Sequence, residues 1–371
     1  MPPPAQSSTG ATRPTSSTRA RHPRTPEALT PAEPRLPGIA VVIPCHNYAE
    51  FIGAAITSVL DQTRPYSQVI VVDDGSTDDS LDVIRRYADH LEIVAQENTG
   101  LLGACLAGLA RVQAEYVHFL DADDTADPHL VEKCAPLLAS TPVKLQFQLA
   151  AIDEEGEPNG SVFPSFADGY DRAAMQEDNR VIGFYQCPPT SGNVFHTATL
   201  RGLGLEAENP RLPLDGAGCA VMPYLGEIVS VSEPLGGYRV HGSSMSNTQL
   251  APSPEQCTRE IADFEANWEV AARLMGQSEP PYGEAMPLFL LERHQLRRAL
   301  SGGSPDVVGL ARYLGRLRQS NLPTWQQAAQ GLWMTTLITP STRARTRLVH
   351  LRRSGAARPQ WMRRLVRLVR R

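Results

Sequence analysis

The sequence contains no pair of cysteines with CxxC spacing. Its six cysteines are scattered between Cys45 and Cys257, and several lie inside apolar runs, where cysteine behaves as a small hydrophobic residue. Zinc sites and disulfide frameworks show regular cysteine spacings, so neither is expected here. Scattered thiols are typical of a reducing compartment. The sequence therefore predicts a cytoplasmic protein.

Long apolar runs are also missing. No stretch approaches the ~20 apolar residues that span a bilayer. Residues 1–36 are rich in Pro, Ser, Thr and Arg and lack the apolar stretch of a signal peptide. Such a composition cannot bury a core, so this segment is predicted to be disordered. We expect a protein that is soluble or attached to a surface, rather than one integral to a membrane.

Acidic residues are absent from the end of the chain. Residues 341–371 contain 11 arginines and no Asp or Glu, although the whole chain has a net charge of −5. Trp361, Leu365, Leu368 and Val369 fall near one face of a predicted helix, and a basic amphipathic helix suits an anionic membrane surface. The alternatives are a solvated helix packed on the rest of the chain, or an unstructured tail. No nucleic-acid partner is expected, because the remainder is acidic and carries no recognition motif.

Apolar runs that resemble strands alternate with helical patterns from residue 39 onward. The predicted strands are Ile39–Ile43, Val69–Val72, Leu91–Val94 and Tyr116–Leu120, and a helix is expected in each interval. This alternation predicts an α/β fold with a mainly parallel sheet and right-handed crossovers. Ligands of such sheets bind beyond the carboxyl ends of the strands.

The second half of the chain is predicted to be more varied. A helix and a strand are expected within 125–150, and an irregular excursion over 151–190. Short strands follow at Asn193–Phe195 and Ile228–Val231. Beyond residue 250, helices separated by Pro and Gly are predicted at about 254–276, 284–300, 305–319 and 323–336.

Three polar clusters follow the predicted strands, at Pro44–Asn47, Asp73–Asp78 and Asp121–Asp124. In the first two, His46 is placed to lie over a base, and Asp74 to accept a hydrogen bond from a base N–H or a ribose hydroxyl. Asn47 is expected to bond the backbone or a ligand. The alternatives are that Asp73 and Asp74 only form a turn and cap a helix, and that His46 only satisfies its own loop.

The third cluster points to a metal. Three carboxylates within four positions at the end of a buried strand are costly unless a positive group joins them. Asp123 is the expected ligand of Mg²⁺ or Mn²⁺, which would bridge a diphosphate, and Asp121 is expected near the ribose or the metal. A solvated loop is the alternative. Together the three clusters suit a nucleotide-sugar.

Four ordered motifs resemble those of family-two glycosyltransferases with a GT-A fold. They are Val42–Asn47, Val71–Asp78, Asn98–Gly100 and Phe119–Asp124, and the similarity covers roughly residues 38–248. It implies a Rossmann-like nucleotide-binding sheet flanked by helices, with a helical C-terminal extension. The implied domains are the disordered segment 1–36, a glycosyltransferase domain 37–250, a helical extension 251–340 and a basic amphipathic tail 341–371.

The resemblance also implies an inverting transfer from a nucleoside-diphosphate sugar, with a UDP-sugar favoured, to a hydroxyl group. The acceptor would be a saccharide or a lipid-linked molecule, as in cell-envelope polysaccharide synthesis. Such an enzyme would be cytoplasmic, or peripheral on the inner face of the cytoplasmic membrane. Inversion needs a general base opposite the diphosphate, and Asp215 occupies the family's position for it. The residues expected to bind the donor are Pro44, His46, Asn47, Asp74, Asp121, Asn193, Arg239 and His241, with Asp123 on the metal.

The sequence departs from the family at two places. Many relatives carry Ala-Arg-Asn where this chain has Ala104-Cys105-Leu106, and the catalytic helix often starts with Glu-Asp where this chain has Leu214-Asp215. These departures keep open a catalytically weak binding or scaffold protein with the same fold. A sugar nucleotidyltransferase is a further alternative, but Pro44–Asn47 does not supply the Gly-rich, Arg-containing loop that such an enzyme would have.

Overall fold

A computed structural model describes residues 36–205, 214, 216–242, 253–338 and 341–353. Several predictions fall outside these residues. They are the disordered N-terminal segment, the position of Asp215, the expected domain boundary near residue 250, and most of the basic tail. None of the helices within the described ranges is both long and apolar enough to cross a membrane.

The described strands form a nine-stranded sheet. In chain order they are β1 Ile39–Cys45, β2 Gln68–Asp74, β3 Glu92–Gln96, β4 Tyr116–Phe119, β5 Thr125–Ala126, β6 Lys144–Ile152, β7 Pro158–Phe163, β8 Asn193–His196 and β9 Ile228–Arg239. Their order across the sheet is β3-β2-β1-β4-β8-β6-β9-β5, and β7 pairs with β6.

The sheet is mixed rather than mainly parallel. Strands β1 to β4 pair in parallel, as predicted, and β6 pairs in parallel with β9. However, β8 runs antiparallel to both of its neighbours, β4 and β6, and the edge strands β5 and β7 are also antiparallel to their partners. The apolar runs identified the strands but carried no information about the direction in which the later ones re-enter the sheet.

Some of the described helices cover the sheet, and those beyond residue 253 form an additional helical region. They are α1 Ile52–Leu60, α2 Ser80–Arg85, α3 Leu101–Arg111, α4 Leu130–Cys134, α5 Arg172–Val181, α6 Thr197–Gly202, α7 Ala217–Leu225, α8 Pro254–Leu274, α9 Leu288–Leu300, α10 Val307–Leu317, α11 Thr324–Thr336 and α12 Thr342–Arg353. The predicted α/β class and the helical C-terminal region are thus confirmed. The prediction of an irregular excursion over 151–190 was wrong, because this segment contains β7 and α5.

Strand β1 is buried along its whole length, which explains its unbroken apolar sequence. Alternate side chains point to opposite faces of a strand. Accordingly Ile39, Val41 and Ile43 pack in one core with α1, whereas Ala40 and Val42 pack in the other core with α3. The two layers of helices hold the carboxyl ends of the central strands at one common edge.

The C-terminal helices are tied to the sheet domain by specific bonds. The indole N–H of Trp268 on α8 donates to the carbonyl of Gly183 at 2.9 Å. The guanidinium of Arg316 on α10 donates to the carbonyl of Arg180 at 2.6 Å. Arg180 lies in the last turn of α5. The side chains of Trp268 and Arg316 are buried. Their bonds to main-chain carbonyls give the helical region a defined position.

Candidate active site

The three polar clusters meet at one edge of the sheet. Strands β2, β1 and β4 are adjacent and parallel, so their carboxyl ends lie side by side. Cys45 at the end of β1 is in register with Asp73 of β2. The loops after these strands, together with the loop before β8 and the end of β9, form the rim described below.

His46 connects the first two strand ends. Its Nδ1 lies 2.9 Å from the carbonyl oxygen of Asp74. A carbonyl can only accept a hydrogen bond, so Nδ1 carries the proton and Nε2 is an acceptor. The side-chain amide of Asn98 donates to Nε2 at 3.0 Å. The imidazole is therefore held between two strand-end loops, with a defined tautomer.

Asn47 also links the loops after β1 and β2. Its backbone φ is 60°, a left-handed conformation that Asn tolerates better than most residues. Its side-chain oxygen accepts hydrogen bonds from the backbone N–H of Thr77 at 2.7 Å and from the Thr77 hydroxyl at 3.2 Å. Its own N–H donates to Ser76 Oγ at 3.0 Å. The described contacts of Asn47 are thus loop contacts, and a contact with a donor remains a prediction.

Asp74 is almost fully buried, and the chain itself supplies four donors to its carboxylate. Oδ1 accepts from Gln96 Nε2 at 2.7 Å, from Thr99 N at 2.9 Å and from the Thr99 hydroxyl at 3.1 Å. Oδ2 accepts from Gly100 N at 2.9 Å. A carboxylate has about four acceptor sites, two on each oxygen. One site on Oδ2 is the place where a base or ribose could still bond.

The turn Asp121–Asp124 is fixed by a serine from the loop before β8. The hydroxyl of Ser191 accepts from the backbone N–H of Asp121 at 3.0 Å and donates to Asp124 Oδ2 at 2.6 Å. The other oxygen of Asp124 accepts from the backbone N–H of Arg239 at 2.8 Å. Burial, together with the adjacent Asp123 charge, raises the pKa of Asp124 to about 8. Asp124 therefore joins three separate segments from within the protein.

Behind this turn lies a buried histidine. His118 on β4 is held between the hydroxyl of Tyr66, 2.8 Å from Nδ1, and the carbonyl of Ser191, 2.9 Å from Nε2. The carbonyl requires the proton on Nε2, so Nδ1 accepts from Tyr66. Burial lowers the pKa of His118 to about 4. The neutral imidazole thus supports the loop that orients the aspartates.

Asp123 faces an imidazole from the end of β9. His241 Nε2 lies 2.9 Å from Asp123 Oδ2, and the His241 side chain is 2% exposed against 15% for that of Asp123. The rings of Phe51 and Tyr48 surround His241, with ring centroids at 4.8 and 6.2 Å. This packing restricts the imidazole, so a carboxylate oxygen and a ring nitrogen are held side by side at the rim.

Tyr48 is a site residue that the sequence did not indicate. Burial, followed by the charges of Asp123, Asp121 and Asp124, raises the pKa of its hydroxyl. Tyr48 also belongs to an open cleft of about 400 Å³, whose other lining residues are His46, Asn47, Ala49, Glu50, Phe51 and Asp78. The cleft therefore lies at the end of β1, close to the carboxylate cluster.

Arg239 and Asn193 both make hydrogen bonds to main-chain carbonyls. The Arg239 guanidinium donates to the carbonyls of Asp123, Asp153 and Glu154 at 2.7, 3.0 and 2.6 Å. Asn193 is fully buried, and its amide donates to the carbonyls of Pro188, Pro189 and Thr190. These contacts shape the rim loops. Direct contacts of Arg239 and Asn193 with a donor, like one by the buried Pro44, remain predictions.

A divalent cation would find two protein ligands here. Within the described ranges there is no group of three or more His, Cys, Asp and Glu residues that could hold a metal. Asp123 and His241 nevertheless place one carboxylate oxygen and one ring nitrogen together. Mg²⁺ is commonly held by one or two carboxylates plus phosphate oxygens and waters, and carboxylates also suit Mn²⁺. The pair fits a cation that completes its shell with a diphosphate.

Asp215, the expected base, lies outside the described residues, and nothing is assigned to its side chain. The helix that follows it, α7, is described. The backbone N–H of Ala217 at the start of α7 donates to the side-chain oxygen of Asn267 on α8 at 3.0 Å. The C-terminal region therefore caps the helix that follows the predicted base.

Comparisons with known proteins identify the family of the chain. The model of glycosyl transferase family 2 matches residues 40–192. An uncharacterized glycosyltransferase of Nostoc sp. is 31% identical over 239 residues, which is 61% of this chain and 72% of that protein. TuaG of Bacillus subtilis, whose name refers to teichuronic acid biosynthesis, is 37% identical over 101 residues, covering 26% of this chain and 40% of that protein. Among solved structures, S. aureus TarS in complex with UDP-GlcNAc aligns with a TM-score of 0.48 and 16% identity, covering 85% of this chain and 91% of that chain.

The α/β sheet places carboxylates at the ends of its parallel strands, which is where such sheets bind their ligands. The chain belongs to glycosyl transferase family 2. Its sheet and flanking helices are of the GT-A type expected for that family, and the enzyme class is glycosyltransferase.

Proposed function

We propose that this protein is an inverting, metal-dependent glycosyltransferase. It would move a sugar from a nucleoside-diphosphate donor, with UDP-sugars favoured, to a hydroxyl group of an acceptor. The observation that carries the proposal is the rim itself. Asp74 lies at the end of β2, and Asp121 and Asp123 follow β4, the parallel strand on the other side of β1. His241 joins Asp123 at 2.9 Å.

In this proposal the chain's own residues orient the donor. Asp74 would bond the base or ribose through the remaining acceptor site on Oδ2, beside the His46 ring. Asp121 would lie near the ribose. Asp123 and His241 would hold Mg²⁺ or Mn²⁺, which when bound offsets the charge of the diphosphate and of the leaving group. The 2.9 Å contact between Asp123 Oδ2 and His241 Nε2 supports this assignment.

The acceptor would be activated by Asp215, carried over from the family's position ahead of α7. Its carboxylate would take the proton of the acceptor hydroxyl, and the oxygen would form a bond to the anomeric carbon. The bond from that carbon to the diphosphate oxygen would break on the opposite face, which inverts the configuration. Thr190–Gly192, beside Asp124, would line the space between donor and acceptor.

We further propose an acceptor in cell-envelope or lipid-linked polysaccharide synthesis. The similarity to TuaG supports this class, although the alignment covers only 40% of that protein. A lipid-linked acceptor would place the enzyme at the inner face of the cytoplasmic membrane. The Arg-rich tail 341–371 is consistent with that location.

The donor half of the proposal can be tested by thermal shift with a panel of nucleotide-sugars, with and without Mn²⁺. A ligand that binds only the folded state raises the melting temperature. Asp123→Asn and His241→Gln should each abolish the Mn²⁺-dependent part of the shift, whereas the exposed Asp89→Asn should retain it. A Mn²⁺-dependent shift of normal size in both rim variants would contradict the assignment of the cation to this pair.

The transfer half needs a separate measurement. Asp215→Asn should retain the donor-induced shift but lose transfer to an acceptor, and a normal transfer rate would show that another residue is the base.

The scaffold alternative is favoured by one feature, the commitment of the Arg239 guanidinium to three main-chain carbonyls. Donor binding without hydrolysis or transfer to any acceptor tested would support that alternative.

A further inference from the structure

Helix α11 presents apolar residues on its outer side. After its first residue, its exposed positions are Trp325, Ala328, Ala329 and Leu332, which follow the i, i+3, i+4, i+7 spacing of one helix face. Leu332 is 71% exposed and Trp325 is 49% exposed. The glutamines of α11, by contrast, are all half-buried. The outer side of this surface helix is therefore apolar as well as its inner side, and we call these four residues the α11 face.

The orientation of α11 is set by its inner side. Gly331 packs against α10, where an added Cβ would lie 3.2 Å from Leu314 Cδ2. Met334 is 1% exposed. The hydroxyl of Tyr313 donates to Gln330 Oε1 at 3.2 Å, and Gln327 Nε2 donates to the carbonyl of Leu322 at 2.9 Å. Rotating the α11 face inward would break these contacts, so the face is presented to the outside by the fold.

The segment of the chain that contains α11 carries charge of one sign. From Val307 to Arg371 there are 14 arginines and no Lys, Asp or Glu. Two of the arginines, Arg316 and Arg345, are buried on main-chain carbonyls. The exposed arginines include Arg312 on α10, Arg318 directly after α10, and Arg343 and Arg347 on α12. A segment that combines outward apolar residues, a Trp and charged residues of positive sign only is complementary to an anionic lipid bilayer.

We propose that the α11 face docks this enzyme on a membrane containing anionic lipids. Trp325 and Leu332 enter the boundary between headgroups and acyl chains, and the neighbouring arginines contact lipid phosphates. This inference deepens the proposed function, because a lipid-linked acceptor lies at such a surface. It assigns membrane contact to the folded α11, in addition to the tail predicted from the sequence.

The test is co-sedimentation of the full chain with vesicles of phosphatidylcholine alone and of phosphatidylcholine with phosphatidylglycerol. The wild-type protein should bind the second kind and lose binding as salt is raised, because the arginine contribution is screened. The double variant Trp325→Gln with Leu332→Gln keeps every arginine and the whole tail. It should partition at least about tenfold more weakly, since two exposed apolar side chains lose their burial in lipid.

Matched controls separate the surface from other effects. Leu137→Gln with Val162→Gln changes two other exposed apolar residues, 41% and 46% exposed, and should bind vesicles like the wild type. The donor-induced thermal shift of the α11 double variant should be unchanged, which shows that it is folded. Vesicle binding and donor binding are measured independently, so failure of one does not imply failure of the other.

Three outcomes would overturn the inference. The first is an absence of wild-type binding to the anionic vesicles. The second is equal binding by the α11 double variant, which would assign any membrane contact to the tail. The third is a wild-type dimer in light scattering that becomes monomeric in the double variant, which would make the α11 face a contact between two copies of the chain.

Discussion

Replacing Asp74 should destabilise the protein before it affects any ligand. Its carboxylate is 2% exposed and accepts four hydrogen bonds within the chain, two of them from the backbone N–H groups of Thr99 and Gly100. Gly100 directly precedes α3, and these N–H groups have no partner inside that helix. Asp74 therefore holds the start of α3 against the end of β2.

The expected magnitude depends on the replacement. In Asp74→Asn, one oxygen can keep the three bonds from Gln96 and Thr99, but the new NH₂ group then faces the N–H of Gly100, and two donors oppose each other. The Gly100 N–H keeps its bond to Asn98 Oδ1 at 3.1 Å, but losing the bond to the charged carboxylate costs about 1–3 kcal/mol in free energy of unfolding. Asp74→Ala removes the acceptor of all four hydrogen bonds. Because water can reach part of the loop and replace some of them, we expect a loss of about 2–4 kcal/mol in free energy of unfolding.

Urea unfolding of the full chain measures both values, with Asp79→Asn as the matched control. Asp79 precedes α2 and makes no side-chain capping bond, so its replacement should stay within about 0.5 kcal/mol of the wild type. An Asp74→Asn variant as stable as that control would refute the reasoning. If such a variant also lost its nucleotide-induced thermal shift, Asp74 would be a ligand contact rather than a support for α3.

Four other substitutions test the packing and the buried network. Gly108→Ala should lower the free energy of unfolding by about 1–3 kcal/mol, because the added Cβ would lie 2.3 Å from a side chain of β1. Gly315→Ala on α10 has open space around it and should raise the free energy of unfolding by about 0.5–1 kcal/mol in the same urea assay. The lowered pKa of His118 means that the folded state binds fewer protons than the unfolded state between about 4 and 6.5. Stability should therefore fall by up to about 3 kcal/mol as pH drops through that window, and equal pH slopes for the wild type and His118→Gln would refute this. Ser191→Ala should lower the free energy of unfolding by about 1–3 kcal/mol, because Asp124 Oδ2 and the Asp121 N–H both lose the hydroxyl that they share. Unchanged urea unfolding would argue against that network.

Much of the candidate site could be read from local sequence. The clusters after β1, β2 and β4 are contiguous motifs, and parallel strands bring their carboxyl ends to one edge. The sequence did not reveal Tyr48 as a neighbour of the aspartates, or Ser191 as the group that holds their turn. The Ser191 hydroxyl lies 70 positions from the Asp121 N–H that it accepts. Nothing in either local pattern encodes that contact.

The amino-acid sequence by itself determined the alternating strands and helices, the strand-end carboxylates and the positive C-terminal end, because hydrophobic period and charge are local properties. Only the tertiary structure decided that β8 enters antiparallel, that the exposed strand β7 forms beside β6, and that His241 meets Asp123 across 118 positions. It also decided that α11 turns its apolar face outward. Each of these depends on which distant segments pack together, and a helix or strand pattern specifies a face without specifying the neighbour that covers it.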